Sequence, residues 1–102
     1  MRLEARHGDV GLIRIETLPE GAKKQPRKGD LILALGEATG HAHRIKEKSA
    51  RIFAVGDTRY LVIERPTTLD HEEHGPITLQ PGAFLVRIER EYSPEAIRQV
   101  LD

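Results

Sequence analysis

Residues 51–64 carry the sequence RIFAVGDTRYLVIE, in which two β-rich runs flank Gly56-Asp57. Glycine supplies the positive φ angle of a tight primed turn, so this pattern predicts a two-residue β-hairpin. The expected cross-strand pairs are Val55 with Thr58, Phe53 with Tyr60 and Ile52 with Leu61. Directly opposed side chains stabilise a hairpin, and the aromatic pair braces one of its faces. Antiparallel β-structure is therefore the basis of the predicted fold.

Short aliphatic and β-branched runs recur along the rest of the chain, bounded by glycine or proline. This pattern is typical of strands separated by turns. The further predicted strands are Val10–Leu18, Leu31–Leu35, Pro76–Leu79 and Ala83–Ile88. The polar segment Ala22–Asp30 contains Arg27 and three lysines, and we interpret it as a solvated loop.

Only the C-terminal segment has a helical pattern. Ser93 is a good N-cap, and Pro94 suits the first helical position. The apolar stripe of the segment consists of Ile97, Val100 and Leu101. Residues three and four apart lie on one face of a helix, so the stripe predicts a helix at about 93–101 that docks on the sheet.

Regular strand spacing with one terminal helix predicts a mainly β fold. The open alternatives are a small antiparallel barrel, a sandwich or a curved meander, each with the C-terminal helix. The chain of 102 residues shows no internal repeat or low-complexity segment. We therefore expect residues 1–102 to form a single β-rich domain.

Composition limits the classes of partner. The 16 basic and 16 acidic residues give zero net charge, which disfavours nucleic-acid binding. The apolar run Leu31–Leu35 is too short to span a membrane, and the N-terminus lacks the apolar region of a signal peptide. We therefore expect a cytoplasmic protein whose partner is a small ligand or another protein, with a homo-oligomer left open. The absence of cysteine excludes disulfides and thiolate ligands.

Four of the five histidines form two close pairs, His41 with His43 and His71 with His74. Alternate residues of a strand share a face, so His41 and His43 can reach one ion. His71 and His74 share a face only if the segment makes a helical or 3₁₀ turn. The fifth histidine, His7, is expected to be a surface residue.

Carboxylates accompany both pairs. The candidate metal site consists of His41, His43, His71 and His74 with Glu72, Glu73 and Glu47. The carboxylates can ligate, orient an imidazole or accept a proton from metal-bound water. Imidazole and carboxylate ligands without thiolate suit zinc, nickel, iron or copper.

Two protein families share parts of this pattern. Cupins carry His-x-His followed shortly by Glu, here His41, His43 and Glu47, and a Pro-Gly turn like that in Leu79–Ala83. The cupin resemblance implies a metal-binding jelly roll, although the later histidines precede that turn. The chain also resembles small uncharacterised bacterial and phage-encoded proteins, and this resemblance implies no particular function. Their motifs correspond to Gly36–His43, Leu69–Gly82 and Arg90–Pro94.

Three hypotheses of function follow from these residues. The first is a small domain whose histidine-rich site binds a transition metal or an anionic ligand. The second is a noncatalytic protein-interaction module in which the histidines are structural. The third is an enzyme, either a metal-assisted hydrolase or a cupin-like oxygenase. The zincin motif His-Glu-x-x-His is excluded, because His71 and His74 are three residues apart rather than four.

Overall fold

The computed structural model describes residues 3–35, 42–72 and 74–88. These residues form strands and no helix. In chain order the strands are β1 (Leu3–His7), β2 (Val10–Ile15), β3 (Lys23–Lys24), β4 (Leu31–Leu35), β5 (Ala42–Ile45), β6 (Arg51–Val55), β7 (Thr58–Ile63), β8 (Thr67–Asp70), β9 (Ile77–Leu79) and β10 (Gly82–Ile88). The helix predicted at 93–101 lies outside the described residues.

The strands form two antiparallel sheets. Sheet 1 has the order β1-β2-β10-β7-β6-β3, and sheet 2 has the order β4-β5-β8-β9. Within the described ranges the sheets do not close into a barrel, and a single apolar cluster draws residues from both. The mainly β prediction is confirmed, with two facing sheets rather than a barrel.

The hairpin that dominates the sequence forms as predicted. Val55 pairs with Thr58, Phe53 with Tyr60 and Ile52 with Leu61. Gly56 has a φ angle of 58°, a backbone conformation that residues other than glycine rarely adopt. Local sequence alone therefore determines the register of β6 and β7.

The core lies between the two sheets. Alternate residues of the central strands point into it, because successive side chains of a strand face opposite ways. Its members are Val10, Leu12, Leu31, Leu33, Ile45, Ala50, Ile52, Leu61, Ile63, Leu69, Leu79, Phe84 and Val86. Phe84 on β10 has 0% of its surface exposed and is among the largest of these side chains. The side-chain pattern thus places β10 at the centre of the packing.

The segment Ala22–Asp30, interpreted from the sequence as a solvated loop, is mostly exposed, but it also contains the short strand β3 and a structural arginine. The half-buried Arg27 donates hydrogen bonds to backbone carbonyl oxygens. The acceptors are Glu47 at 2.6 Å, Ala50 at 2.8 Å, Gly29 at 2.9 Å, Ile45 at 3.1 Å and Lys46 at 3.3 Å. One guanidinium therefore joins this loop to the turn that connects β5 to β6.

We expect Arg27→Lys to lower the free energy of unfolding by about 2 kcal/mol, because an ammonium group cannot reproduce a planar fork of donors. Urea denaturation measures the change. Lys28→Ala, an exposed neighbour on the same loop, is the control and should change the free energy by less than about 0.5 kcal/mol. Equal effects of the two substitutions would contradict the structural role of Arg27.

No helix among the described residues is long and apolar enough to cross a membrane.

Candidate functional site

Four imidazole rings converge at one end of the two sheets. They belong to His7, His43, His71 and His74, and their centroids are separated by 4.4 to 6.1 Å. His7 and His43 are each only 3% exposed. The expectation that His7 is a surface residue is therefore wrong, since it contributes a buried ring to this histidine cluster.

Strand alternation positions the two buried rings. His7 pairs with the core residue Val10, so the His7 ring lies on the core side of sheet 1. His43 lies two residues before the core residue Ile45 and therefore shares its face of sheet 2. The rings meet across the space between the sheets, where the apolar core ends.

The His71 ring follows from the register of β5 and β8. Ile45 pairs with Leu69 and Arg44 with Asp70, so the next antiparallel step sets His43 beside His71. Their ring centroids are 4.4 Å apart. Sequence reasoning required a helical turn here, but strand register brings His71 to the site.

His74 reaches the cluster from the segment that follows β8. Its ring centroid is 4.5 Å from that of His71, and its backbone NH donates to Nδ1 of His71 at 3.3 Å. Gly8 underlies this ring: a methyl group added there would lie 2.6 Å from Nε2 of His74. Gly8 also has a φ angle of 63°, which favours glycine. A side chain at position 8 would therefore displace the His74 ring from its place in the cluster.

The two buried rings make a chain of short contacts. Nδ1 of His7 lies 2.8 Å from Nδ1 of His43. Nε2 of His7 lies 2.9 Å from the carbonyl oxygen of Gly75, and Nε2 of His43 lies 3.1 Å from a carboxylate oxygen of Asp9. A carbonyl and an ionised carboxylate only accept hydrogen bonds, so each Nε2 is a donor.

If both Nε2 atoms are donors, a positive charge is required between Nδ1 of His7 and Nδ1 of His43. A neutral imidazole carries one proton, so with Nε2 protonated the Nδ1 atoms of His7 and His43 are both bare. Two lone pairs that face each other at 2.8 Å repel unless a proton or a metal ion lies between them. The pair is therefore arranged around a positive charge.

Protonation of this pair is disfavoured. Burial lowers the pKa of His7 below its ordinary value of 6.5, and the nearby His74 and His71 lower it further. Burial also lowers the pKa of His43, with His71 and His7 adding to the effect. The Gly75 carbonyl, Asp70 and Asp9 oppose these shifts without cancelling them. Near neutral pH the rings of His7 and His43 are thus neutral, the form that ligates metals.

These shifts predict how the stability of the metal-free protein depends on pH. Because His7 and His43 bind protons less readily when folded, the free energy of unfolding should fall as the pH drops below about 6.5 and through their lowered pKa values. Urea denaturation after EDTA dialysis, at several pH values between 8 and 5, measures this. Replacing both residues by glutamine should flatten the dependence, and an unchanged slope would contradict it.

The predicted carboxylates have other partners. Glu72 accepts hydrogen bonds from the backbone NH of Ala42 at 2.9 Å and from Arg44 at 2.7 Å. Glu47 accepts from the backbone NH and the hydroxyl of Ser49, both at 2.8 Å, and these bonds lower its pKa. His41 and Glu73 lie outside the described residues. Asp9, which sequence reasoning did not select, places a carboxylate against the cluster at Nε2 of His43.

The signal for this part of the site was the tripeptide His7-Gly8-Asp9. Gly8 and Asp9 form the turn between β1 and β2, and Asp9 bonds His43 from there. Strand β1 was not predicted from the sequence. The alternation of side chains along this strand, which directs His7 towards the core, could therefore not be used to place the His7 ring. A histidine just before a Gly-Asp turn would have pointed to a strand end.

Within residues 3–35, 42–72 and 74–88, no three ligand side chains already stand at a geometry that could hold a metal ion. The His7 and His43 pair offers two ring nitrogens at one position. Two imidazole nitrogens on a tetrahedral zinc, each at about 2.0–2.1 Å, are roughly 3.3 Å apart. To accommodate the ion, the 2.8 Å contact would have to widen by about half an ångström and both rings would have to turn until their lone pairs converge.

A separate groove of about 730 Å³ contains none of the four histidines. Its lining includes the cationic residues Lys46, Lys48 and Arg65 together with the carboxylates of Glu47 and Asp70. The mixed charges give this groove no clear preference for an anion.

Fold and site together define a two-sheet antiparallel β domain with a histidine cluster at one end of its core. The chain belongs to the protein family described as a domain of unknown function, DUF8820, whose model matches residues 6–89. The matched range contains all four clustered histidines and both sheets except for the first three residues of β1. The expected membership in an uncharacterised family is thereby confirmed. No curated protein and no solved structure matches the chain.

Proposed function

We propose that this domain binds one transition-metal ion through Nδ1 of His7 and Nδ1 of His43. The observation that carries the proposal is the 2.8 Å contact between these atoms, which requires a positive charge. Because burial lowers the pKa of both rings, their nitrogens are neutral near neutral pH and available to a metal ion.

The partners of the opposite ring atoms support the proposal. A histidine that ligates a metal usually donates its other NH to a backbone carbonyl or a carboxylate, which fixes the tautomer and the ring orientation. His7 donates to the Gly75 carbonyl, and His43 donates to Asp9. The hydrogen bonds of both rings thus resemble those of metal ligands, and the two Nδ1 atoms are left free to face each other.

Further ligands are available beside this pair. The rings of His71 and His74 have centroids 4.4 and 5.8 Å from that of His43. Rotation of either ring would complete a three- or four-nitrogen set, which suits zinc, nickel or copper. His74 is exposed, whereas His7 and His43 are buried. The proposed ion would therefore be held from the core side and reached from the His74 side.

Isothermal titration of the full chain with zinc chloride at pH 7.5 tests the proposal. We expect one ion to bind per chain. Glu47→Gln is the matched control, because this carboxylate is bonded to Ser49, and its zinc affinity should equal that of the unaltered chain. Binding of less than one ion per chain would overturn the proposal. A lower zinc affinity of the Glu47→Gln variant than of the unaltered chain would also overturn it.

A further inference from the structure

A pocket with an excess of cationic side chains lies apart from the histidine cluster. It has a volume of about 350 Å³ and is lined by the loop that precedes β4 and by residues of β4, β6 and β7. Its lining includes the apolar residues Leu31 and Ile32 and the charged residues Arg27, Lys28, Asp30 and Arg59. We call it the arginine pocket. None of the four clustered histidines belongs to its lining.

Arg59 extends from β7 of sheet 1 towards sheet 2. It lies two residues before the core residue Leu61, so its side chain shares the core face of the strand. Its Nη2 donates a hydrogen bond to the carbonyl oxygen of Leu33 on β4. A guanidinium carries five N–H donors, and this is the one hydrogen bond that Arg59 makes within the described part of the chain. The rest of its fork is therefore available to an acceptor in the pocket.

The charges of the two half-buried arginines have no carboxylate partner among the described residues. Arg27 donates to backbone carbonyl oxygens, which carry no net charge. Asp30, the carboxylate of the lining, is exposed and makes no ion pair with either guanidinium. Burial lowers the pKa of Arg59, and no neighbouring carboxylate opposes that shift. Because burying a cation without a counter-charge is costly, an anion in the pocket would offset this cost.

The excess of charge indicates the class of anion. Three cationic side chains against one carboxylate leave two uncompensated positive charges in the lining. A phosphate group carries about −1.5 to −2 charges near neutral pH, whereas a carboxylate carries one. Phosphate oxygens also accept two parallel hydrogen bonds from a guanidinium fork. The groove of about 730 Å³ has half this excess, because it carries two carboxylates against three cations.

We propose that the arginine pocket binds the phosphate group of a small ligand through the free donors of Arg59. The charge of Arg27 attracts the group from the loop side, and the exposed Lys28 adds a mobile charge at the entrance. Ile32, which is 37% exposed, offers an apolar contact to the organic part of a phosphate monoester. This binding does not depend on the proposed metal ion, because the two sites share no residue.

Titration of the metal-free full chain with inorganic phosphate at pH 7.5 and constant ionic strength, followed by ¹H–¹⁵N NMR, tests the proposal. We expect saturable shifts of the backbone amides of Leu31, Ile32 and Arg59. Arg59→Gln should weaken phosphate binding roughly tenfold or more, because glutamine can still donate to the Leu33 carbonyl but lacks the charge and the fork. Arg65→Gln, which removes an exposed cation of the other groove, is the matched control and should leave the affinity unchanged.

A second variant keeps the test decisive if Arg59→Gln does not fold. Lys28→Ala changes only an exposed side chain, and it should weaken phosphate binding about two- to threefold. Acetate should bind at least several-fold more weakly than phosphate, and phenyl phosphate should bind more tightly if the ligand is a monoester rather than free phosphate. Absence of saturable shifts, acetate binding as tight as phosphate binding, or equal losses in the Arg59→Gln and Arg65→Gln variants would overturn the proposal.

Discussion

Replacing His7 by glutamine is expected to lower the zinc affinity of the chain at least about a hundredfold. Glutamine can still bond the Gly75 carbonyl, but it offers no imidazole nitrogen at the position now 2.8 Å from Nδ1 of His43. The loss removes one of the two buried ligands, and the less buried rings of His71 and His74 do not lie at its position. Competition with a chromophoric chelator measures the affinity.

A graded series separates ligation from a general disturbance of the fold. Asp9→Asn keeps both imidazoles and removes only the charge that orients His43, so its affinity should fall about 10- to 100-fold. The His7→Gln loss should exceed the Asp9→Asn loss, while both variants keep the β-sheet signal in circular dichroism. Undiminished zinc binding by folded His7→Gln would exclude His7 as a ligand.

Replacing Phe84 by alanine should lower the free energy of unfolding by about 3–5 kcal/mol. Phe84 has 0% exposure and lies on β10, between β2 and β7 in sheet 1, so its removal leaves a cavity where the sheets pack together. Such a loss is a large part of the stability of a small domain. Urea denaturation at pH 8 measures it.

Val55→Ala is the matched control for the core variant. Val55 also lies on a strand of sheet 1, but it is 38% exposed at the tip of the hairpin. We expect a cost below about 1 kcal/mol, mostly from reduced β propensity. If the two substitutions cost the same, Phe84 would not be at the centre of the core.

The hairpin of β6 and β7 was predictable because its cause is local. The Gly56-Asp57 turn fixes which residues face each other, and every predicted pair is found. The single contribution of Arg27 was not predictable, because its carbonyl partners belong to a turn about twenty residues further along the chain. A hydrogen bond from a side chain to a distant backbone segment produces no periodic pattern in the sequence.

The histidine cluster was predictable only in part. Sequence spacing singled out His43, His71 and His74, but it could not show that the ends of the two sheets meet. Because the sheet ends meet, His7 of β1 lies against His43 of β5. His7, which is isolated in the sequence, is therefore the residue whose Nδ1 lies 2.8 Å from Nδ1 of His43. Glu47 has suitable chemistry and spacing, yet its bonds to Ser49 give it a local structural role.

The central claim is that a metal ion replaces the repulsive contact between the two Nδ1 atoms. Long-range ¹H–¹⁵N NMR spectra of the histidine rings, recorded while zinc is added, test it most directly. The account predicts that the Nδ1 resonances of His7 and His43 shift together and saturate at one zinc per chain, while both Nε2 atoms stay protonated. Zinc binding that leaves these two Nδ1 resonances unchanged would contradict the account.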